Sequence, residues 1–277
     1  MNSVPSPART TVSGSGLSAL VFLALATGCG SGSLPGPAAQ PVDTLRVLTY
    51  NIHHGEGMDG VVDLERIAAF IKGFDPDMVT LQEVDSVVDR TGDVDQAEVL
   101  ADLTGMSAAF GRFMPYQGGA YGMAVLSRWP ILEASNLRLT DGTEPRTALA
   151  VRVRGPGAGQ ELVVVGIHFY ETAAQRLAQA RDLEGILEGE ESPTMLSGDF
   201  NSTPDSEVMG YLGARWQVLD KGVDRLTFSS FDPVREIDFV LVRPRDHFLI
   251  REHRVLDEPV LSDHRALLTE VILRPQG

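Results

Sequence analysis

The feature that most constrains the fold of this chain is a series of short apolar runs of strand length, separated by turn residues and by stretches with helical spacing. Runs of this kind predict β-strands. We predict strands at LRVLTYNIHHG from Leu45, at residues 77–85, 121–131, 147–155 and 161–169, at TMLSG before Asp199, and at EIDFVLVRP and RALLTEVIL. Many strands with a few intervening helices indicate a layered α/β or α+β domain.

Helical patterns separate several of these strands. Asp63 is a candidate N-cap, apolar residues follow it at helical spacing, and Gly73 is a candidate stop. Residues 172–187 have the apolar spacing of an amphipathic helix that packs on a sheet. A short helix is predicted at residues 205–212. The 43% of hydrophobic and 22% of charged residues fit a globular body with a core of its own.

The stretch LSGDFNSTPDS, residues 196–206, joins an apolar run to a segment of turn residues. If this stretch is extended, the side chains of Asp199 and Asn201 point the same way, because alternate residues of a strand share a face. The alternative is an Asx turn, for which Asp, Asn, Ser and Pro are ordinary residues. Both interpretations are open at this point.

Other predicted strands also carry acids, amides or histidines at their ends. A single Asp beside a strand is usually a turn residue, whereas a repeated pattern of metal-ligand and proton-transfer groups indicates a site. The residues of this pattern are Asn51, Glu83, His168, Asp199, Asn201, Asp238, Asp263 and His264.

The motifs around these residues are TYNIHHG, LQEVD, GIHF, GDFN, EIDFVLV and SDHRAL, and they span the chain from about Leu45 to Leu273. Together they resemble the endonuclease/exonuclease/phosphatase superfamily, which includes DNase I-like nucleases, sphingomyelinases and inositol phosphatases. The resemblance implies the DNase I-like α/β fold, a four-layer sandwich of two mixed β-sheets flanked by helices, over residues 44–275. It also implies hydrolysis of a phosphodiester or a phosphomonoester.

By this resemblance, Asn51 and Glu83 would hold the catalytic cation, and Asp263 would lie near it. Carboxylate and amide oxygens suit a hard cation. The only cysteine of the chain is Cys29, so the body has no thiolate site. The implied cofactor is therefore Mg²⁺ or Mn²⁺.

The resemblance assigns the other strand-end residues to catalysis. Asp199 and Asn201 would position the attacking water and the phosphate. His264 would transfer a proton and stabilise charge, and His168 would be a second histidine oriented by Asp238. Histidine exchanges a proton near neutral pH, and a neighbouring carboxylate fixes its tautomer.

Three further residues match substrate-binding stretches of the family, namely Arg146, Arg176 and Tyr121. The guanidinium groups would clamp phosphate oxygens. Two alternatives stay open, Arg176 as a solvated surface residue with an i,i+4 partner and Tyr121 as a strand-packing residue. His53 and His54 are interpreted as surface residues, because they lack the spacing of metal ligands.

Residues 1–29 are predicted to be a lipoprotein-type signal peptide. The apolar run at residues 16–28 is too short to span a bilayer comfortably, and LATG followed by Cys29 resembles the lipobox at which bacterial lipoproteins are lipidated. The alternative is an ordinary secretory signal. Residues 30–43 are rich in Gly, Ser and Pro, which predicts a flexible tether. We therefore expect an exported protein of the cell envelope, anchored to a membrane by lipid at Cys29.

The strongly acidic composition bears on the substrate. The formal net charge is −15, and without residues 1–29, which contain one arginine and no acid, 22 basic residues face 38 acidic ones. This balance disfavours duplex nucleic acid, whose phosphates require clustered Lys and Arg. We expect a monomer that hydrolyses a small phosphoester or a lipid headgroup. The alternatives are an extracellular nuclease of the same fold and a non-catalytic binding lipoprotein, and the presence of every implied catalytic residue argues against the second.

Overall fold

The computed structural model describes residues 44–156 and 160–274, so the predicted signal peptide, Cys29 and the tether lie outside the described residues. Within the described part, the strands form two six-stranded sheets. None of the helices found there is long and apolar enough to cross a membrane.

The first sheet is mixed. It contains β1 (Thr44–Asn51), β2 (Met78–Ser86), β3 (Ser107–Tyr116), β4 (Gly119–Ser127), β11 (Phe248–Val255) and β12 (Leu267–Leu273). The strand order is β11-β12-β1-β2-β4-β3, in which β1 and β2 are parallel and the other neighbours are antiparallel. The carboxyl ends of β1 and β2 therefore lie at the same edge of this sheet.

The second sheet is also mixed. It contains β5 (Ile131–Arg138), β6 (Thr147–Arg154), β7 (Glu161–His168), β8 (Thr194–Asp199), β9 (Gln217–Val218) and β10 (Asp238–Arg243). The strand order is β5-β6-β7-β8-β10-β9, in which only β7 and β8 are parallel neighbours. The end of β7, the end of β8 and the start of β10 therefore meet at one edge.

Three apolar clusters separate four layers. The helices are α1 (Leu64–Gly73), α2 (Gln96–Thr104), α3 (Ala173–Ile186) and α4 (Glu207–Gly213). One cluster lies between the two sheets, a second between the first sheet and α1 with α2, and a third between the second sheet and α3 with α4. The predicted DNase I-like sandwich of two mixed sheets flanked by helices is confirmed.

The two longer helices predicted from the sequence begin where they were expected, α1 after the predicted cap Asp63 and α3 after Thr172. The Asp63 carboxylate accepts a hydrogen bond from the Arg66 backbone N–H at 3.0 Å at the start of α1. At the start of α3, Thr172 and Gln175 form a capping box, in which each side chain binds the backbone of the other. Local sequence signals therefore determine where these helices begin.

The sequence prediction missed α2 and every edge strand. The edges of the sheets are β3 and β11 in the first and β5 and β9 in the second. Residues 121–131 were predicted as one strand, but β4 ends at Ser127 and β5 begins at Ile131. An edge strand pairs with a neighbour on one side only. β5 is largely exposed and therefore lacks an apolar run. Pairing with a neighbouring strand, rather than local composition, specifies these segments.

Candidate active site

Adjacent strands of the second sheet place His168, Asp199 and Asp238 in one row. His168 at the end of β7 is in register with Asp199 at the end of β8, and Asp199 faces Asp238 at the start of β10. Gly198 permits this close approach, since a Cβ on it would lie 2.0 Å from the Ile167 carbonyl oxygen. All three polar side chains are buried.

His264 completes this group from the loop before β12. Its Nδ1 lies 2.9 Å from Oδ2 of Asp238, and its Nε2 lies 3.7 Å from Oδ2 of Asp199. Burial lowers the pKa of His264, but the carboxylates of Asp238 and Asp199 outweigh burial and raise it. The arrangement favours a protonated ring that presents Nε2 to the cleft.

The prediction that Asp238 orients His168 is wrong, because Asp238 binds His264 instead. His168 Nε2 lies 3.5 Å from Oδ2 of Asp199, while its buried Nδ1 has no hydrogen-bond partner within residues 44–156 and 160–274. Burial, followed by the positive charges of Arg146 and His264, holds the pKa of His168 well below its usual range. His168 is therefore the neutral histidine of the site.

Asp199 and Asn201 come together through a turn and not through an extended strand. Asn201 has a left-handed backbone (φ 48°), and its N–H donates to Oδ1 of Asp199 at 2.7 Å, which is the bond of an Asx turn. The Asn201 side-chain amide then donates to the Phe169 carbonyl oxygen at 2.9 Å. The extended interpretation was wrong and the Asx turn is correct, yet this turn still brings both side chains to the cleft.

The first sheet contributes Glu83 through a β-bulge. The pairing of β2 with β4 shifts between Gln82 and Val84, so Glu83 is the extra residue, with φ 58°. A bulge of this kind changes the direction of one side chain. Asn51, at the end of β1, donates from its amide to Oε1 of Glu83 at 3.1 Å and to Oδ2 of Asp199 at 3.3 Å. The two sheets therefore meet at these three side chains.

Ser262 ties the loop that carries Asp263 and His264 to the first sheet. The Ser262 hydroxyl donates to the Asn51 carbonyl oxygen at 2.7 Å and accepts from the His264 backbone N–H at 3.2 Å. Asp263 lines the same cleft as Glu83. Residues that are more than 200 positions apart are fixed side by side in this way.

The carboxylates divide into paired and unpaired groups. Asp199, Asp238 and His264 offer ligand atoms that lie within 4.8 Å of one another, but Asp238 is already bound to His264. Among residues 44–156 and 160–274, neither Glu83 nor Asp263 has an ion-pair partner. Unpaired carboxylate oxygens that face one cleft fit a hard divalent cation. The Asn51 amide, however, turns its nitrogen towards Glu83 and Asp199.

Arginines and aromatic rings also line the cleft, which has a volume of about 350 Å³. Arg146 is 2% exposed, and its guanidinium carbon lies 4.8 Å from the ring centre of Phe113 and 4.6 Å from that of Tyr170. It pairs with Glu144 at 3.0 Å, while its buried Nε finds no hydrogen-bond partner in the part of the chain that the structure describes. Tyr121 lines the same cleft, where burial raises its pKa. Both residues line the cleft, and Tyr121 also packs in the apolar cluster between the two sheets.

Arg176 and the loop histidine His54 have surroundings that differ from those predicted for them. Arg176 does not line the cleft, and its Nε donates to the Ser202 hydroxyl at 3.0 Å while Nη1 donates to the Glu171 carbonyl oxygen. It is half-buried rather than solvated, and its side chain has no i,i+4 partner among the described residues. His54, interpreted as a surface residue, is 8% exposed and binds the Glu56 carboxylate at 3.1 Å.

Sequence reasoning missed several residues that line the cleft. Arg90 makes a two-pronged ion pair with the fully buried Asp85, at 2.7 and 2.9 Å, and lies over the Tyr116 ring. Phe228 and Arg235 come from the loop before β10. Their only sequence signal was their position just before EIDFVLV, because loop residues carry no periodic pattern.

Comparisons with known proteins found relatives of this chain and solved structures with the same fold. The model of the endonuclease/exonuclease/phosphatase family matches residues 48–264. The protein YbhP of Escherichia coli K12 is 33% identical over 171 residues, which cover 57% of this chain and 67% of YbhP. The crystal structure of an endonuclease/exonuclease/phosphatase from Beutenbergia cavernae is 25% identical with a TM-score of 0.68, over 83% of this chain and 72% of that one. A mannosyl-6-phosphatase of Bacteroides thetaiotaomicron shares the fold, with 18% identity and a TM-score of 0.67 over 83% of this chain and all of that one.

Proposed function

This chain belongs to the endonuclease/exonuclease/phosphatase family, and we propose that it is a divalent-cation-dependent phosphoesterase. One observation carries the proposal. A buried network of Asp199, Asp238 and His264 adjoins two carboxylates, Glu83 and Asp263, that have no ion-pair partner among the described residues. A proton-transfer group beside an unneutralised acidic cluster suits hydrolysis of a phosphate ester.

The residues that would hold the cation are Glu83, Asp263 and Asn51. Ligation by Asn51 requires its amide to turn over, so that the oxygen replaces the nitrogen that now faces Glu83. A bound Mg²⁺ or Mn²⁺ neutralises charge on the phosphate oxygens. The proposed ligands are all oxygen atoms, which is why these two ions are favoured over softer metals.

The protein groups would act on the two sides of the phosphate. Burial, and next the negative charge of Asp238, raise the pKa of Asp199, which suits it to accept a proton from the attacking water. Asn201 would orient the water or a phosphate oxygen. The protonated His264 would donate from Nε2 to a phosphate oxygen, while Asp238 holds the proton on Nδ1. His168, which stays neutral, would provide a further hydrogen bond.

We propose a compact substrate, either a small phosphoester or a lipid headgroup. The net charge of −15 supports this choice, because duplex DNA requires a series of basic contacts outside the active site. Two arginines of the cleft are already paired with carboxylates, Arg90 with Asp85 and Arg146 with Glu144. These two arginines can bind one phosphate, but they do not form an extended basic surface along which a duplex could bind.

We also propose that the protein is an exported, monomeric lipoprotein of the cell envelope. The support comes from the sequence alone, namely the apolar run at residues 16–28, Cys29 after LATG, and the Gly/Ser/Pro-rich residues 30–43. A lipid on Cys29 would keep the domain near membrane headgroups. This position would favour a lipid substrate over one in free solution.

The proposal is tested with a panel of substrates. The purified chain is assayed on phosphodiesters, phosphomonoesters, lipid headgroup esters and supercoiled plasmid, with Mg²⁺, with Mn²⁺ and with EDTA, at near-physiological salt. Turnover of a small ester that EDTA abolishes and His264→Ala lowers supports the proposal. Efficient plasmid nicking with negligible turnover of small substrates would show a nuclease instead, and no turnover of any ester would leave a binding protein.

A further inference from the structure

Thr227 lies behind the pair formed by Asp238 and His264, in the segment between β9 and β10. Its side chain is fully buried, with 0% exposure, and it does not line the cleft. The hydroxyl oxygen accepts hydrogen bonds from the backbone N–H groups of Ile237, at 3.2 Å, and of Asp238, at 3.3 Å. This single oxygen therefore fixes the backbone from which the Asp238 carboxylate projects.

The backbone of Thr227 holds the other half of the pair. Its carbonyl oxygen accepts from the N–H of Arg265, the residue after His264, at 2.8 Å. Its own N–H donates to the Arg235 carbonyl oxygen at 2.8 Å. Thr227 is thus bonded on one side to the start of β10 and on the other to the loop that carries His264.

The next residue strengthens the connection to His264. Phe228 forms an isolated β-bridge with His264, and the centres of the two rings are 4.9 Å apart. Two residues further on, the Ser230 N–H donates to the Asp263 carbonyl oxygen at 2.7 Å. Segment 227–230 therefore lies along the whole loop at residues 263–265.

We propose that Thr227 is a positioning residue, which holds Asp238 and His264 at the 2.9 Å that their hydrogen bond requires. The inference rests on the proposed function, in which this bond keeps His264 oriented towards phosphate. Without the hydroxyl, two buried N–H groups lose their acceptor, and buried donors do not remain unsatisfied when the backbone can move. The first residues of β10 then shift, and the Asp238 carboxylate shifts with them.

The proposal is tested by exchanging only the hydroxyl. Thr227→Val keeps the shape and removes the acceptor, whereas Thr227→Ser keeps the acceptor and removes a methyl group. We expect the valine variant to lower kcat by a factor on the order of 10 to 100, with KM changed by less than about twofold. The serine variant should keep kcat within about threefold of the wild type. If the valine variant does not fold, Thr227→Ala replaces it, with the same loss expected.

A matched control removes a buried threonine hydroxyl elsewhere. Thr194 is also fully buried, and its hydroxyl donates to the Ser192 carbonyl oxygen at 2.8 Å, at the end of β8 that is opposite Asp199. Thr194→Val should lower thermal stability and leave kcat unchanged. If Thr227→Val and Thr194→Val lower stability alike and neither alters kcat, Thr227 is merely structural and the inference fails.

Two further measurements separate positioning from a general loss of structure. In an Asp238→Ala background, Thr227→Val should change kcat by less than about twofold, because the bond that it protects is already lost. A full multiplicative effect in the double variant would overturn the inference. The Nδ1–H proton of His264, identified by its absence in His264→Gln, should shift in the NMR spectrum of Thr227→Val and not in that of Thr227→Ser. This signal requires no turnover, so it still decides the role of Thr227 if the wild type hydrolyses no phosphoester and the proposed function fails.

Discussion

Arg146 offers the sharpest test of how the cleft binds phosphate. Its guanidinium carbon lies 4.8 Å from the ring centre of Phe113 and 4.6 Å from that of Tyr170, the residue is 2% exposed, and among the described residues its Nε has no hydrogen-bond partner. The side chain also lines the cleft, and the planar N–H donors of a guanidinium match phosphate oxygens. We therefore expect a phosphate oxygen of the substrate to accept from Arg146.

The size of the effect follows from one charge-assisted hydrogen bond. Such a bond contributes about 1.5–3 kcal/mol, so Arg146→Met should lower kcat/KM by a factor of about 10 to 150, mainly through KM. The loss of Glu144's partner adds little, because that carboxylate is 35% exposed and remains hydrated. Arg146→Lys keeps the charge but loses the planar contact with the rings, and an intermediate loss is expected.

Arg243 provides the matched control, because it also lies over an aromatic ring and pairs with a glutamate. Its guanidinium carbon is 4.2 Å from the Trp216 ring centre, it pairs with Glu184 at 3.3 Å, and it lies at the end of β10 opposite Asp238, outside the cleft. Arg243→Met should change kcat/KM by less than about threefold. Both variants are assayed on the same small phosphoester at saturating Mg²⁺, with circular dichroism to confirm folding. Equal losses in the two variants, or an unaltered KM in Arg146→Met, would refute the assignment.

Three other predictions concern the site, the core and the anchor. His264→Ala and Asp199→Asn should each lower turnover by a factor on the order of 10² or more without loss of fold, and full activity in both would contradict their roles. Burial, and next the charge of Lys221, lower the pKa of His253 to about 3. The unfolded chain takes up this proton near pH 6.5 and the folded chain does not, so the free energy of unfolding should fall as the pH drops from 6.5 towards 3, by up to about 1.4 kcal/mol per pH unit. The free energy of unfolding, measured by urea titration, should fall less between pH 7 and pH 5 in His253→Gln than in the wild type. An equal fall in the two proteins would contradict the reasoning. Cys29→Ser should release the protein from the membrane fraction, whereas a wild type that is soluble and carries no lipid at its mature terminus would show that the lipobox interpretation is wrong.

The central strands and capped helices could be predicted because their signals are local. The runs that became β1, β2, β7 and β8 are buried on both sides and therefore read as continuous apolar stretches. Asp63 and Thr172 mark the starts of α1 and α3 by chemistry within three residues. The edge strands carry no such signal, since each is specified by the single neighbour with which it pairs.

The site residues could be nominated, but their partners could not. The order of the motifs predicted that Asp238, His168 and His264 belong to one site, and in the structure these residues do lie together. Which histidine Asp238 binds depends on strand register and on the loop before β12, and both are tertiary properties. For the same reason, the sequence did not show that the Arg146 guanidinium lies close to two rings, since Phe113 and Tyr170 come from distant segments.

Two residues of the candidate site have backbone conformations that the local sequence does not predict. Glu83 and Asn201 have left-handed backbones, with φ values of 58° and 48°, and residues other than glycine seldom adopt this conformation. Glu83 is forced out of the ladder by the bulge against β4, and Asn201 is held by its bond to Asp199. Glycine would fit either backbone with less strain but would supply no oxygen or amide to the cleft. Glu and Asn at these positions are therefore expected if the proposed phosphoester chemistry needs their side chains, because strained backbones occur mainly where function requires them.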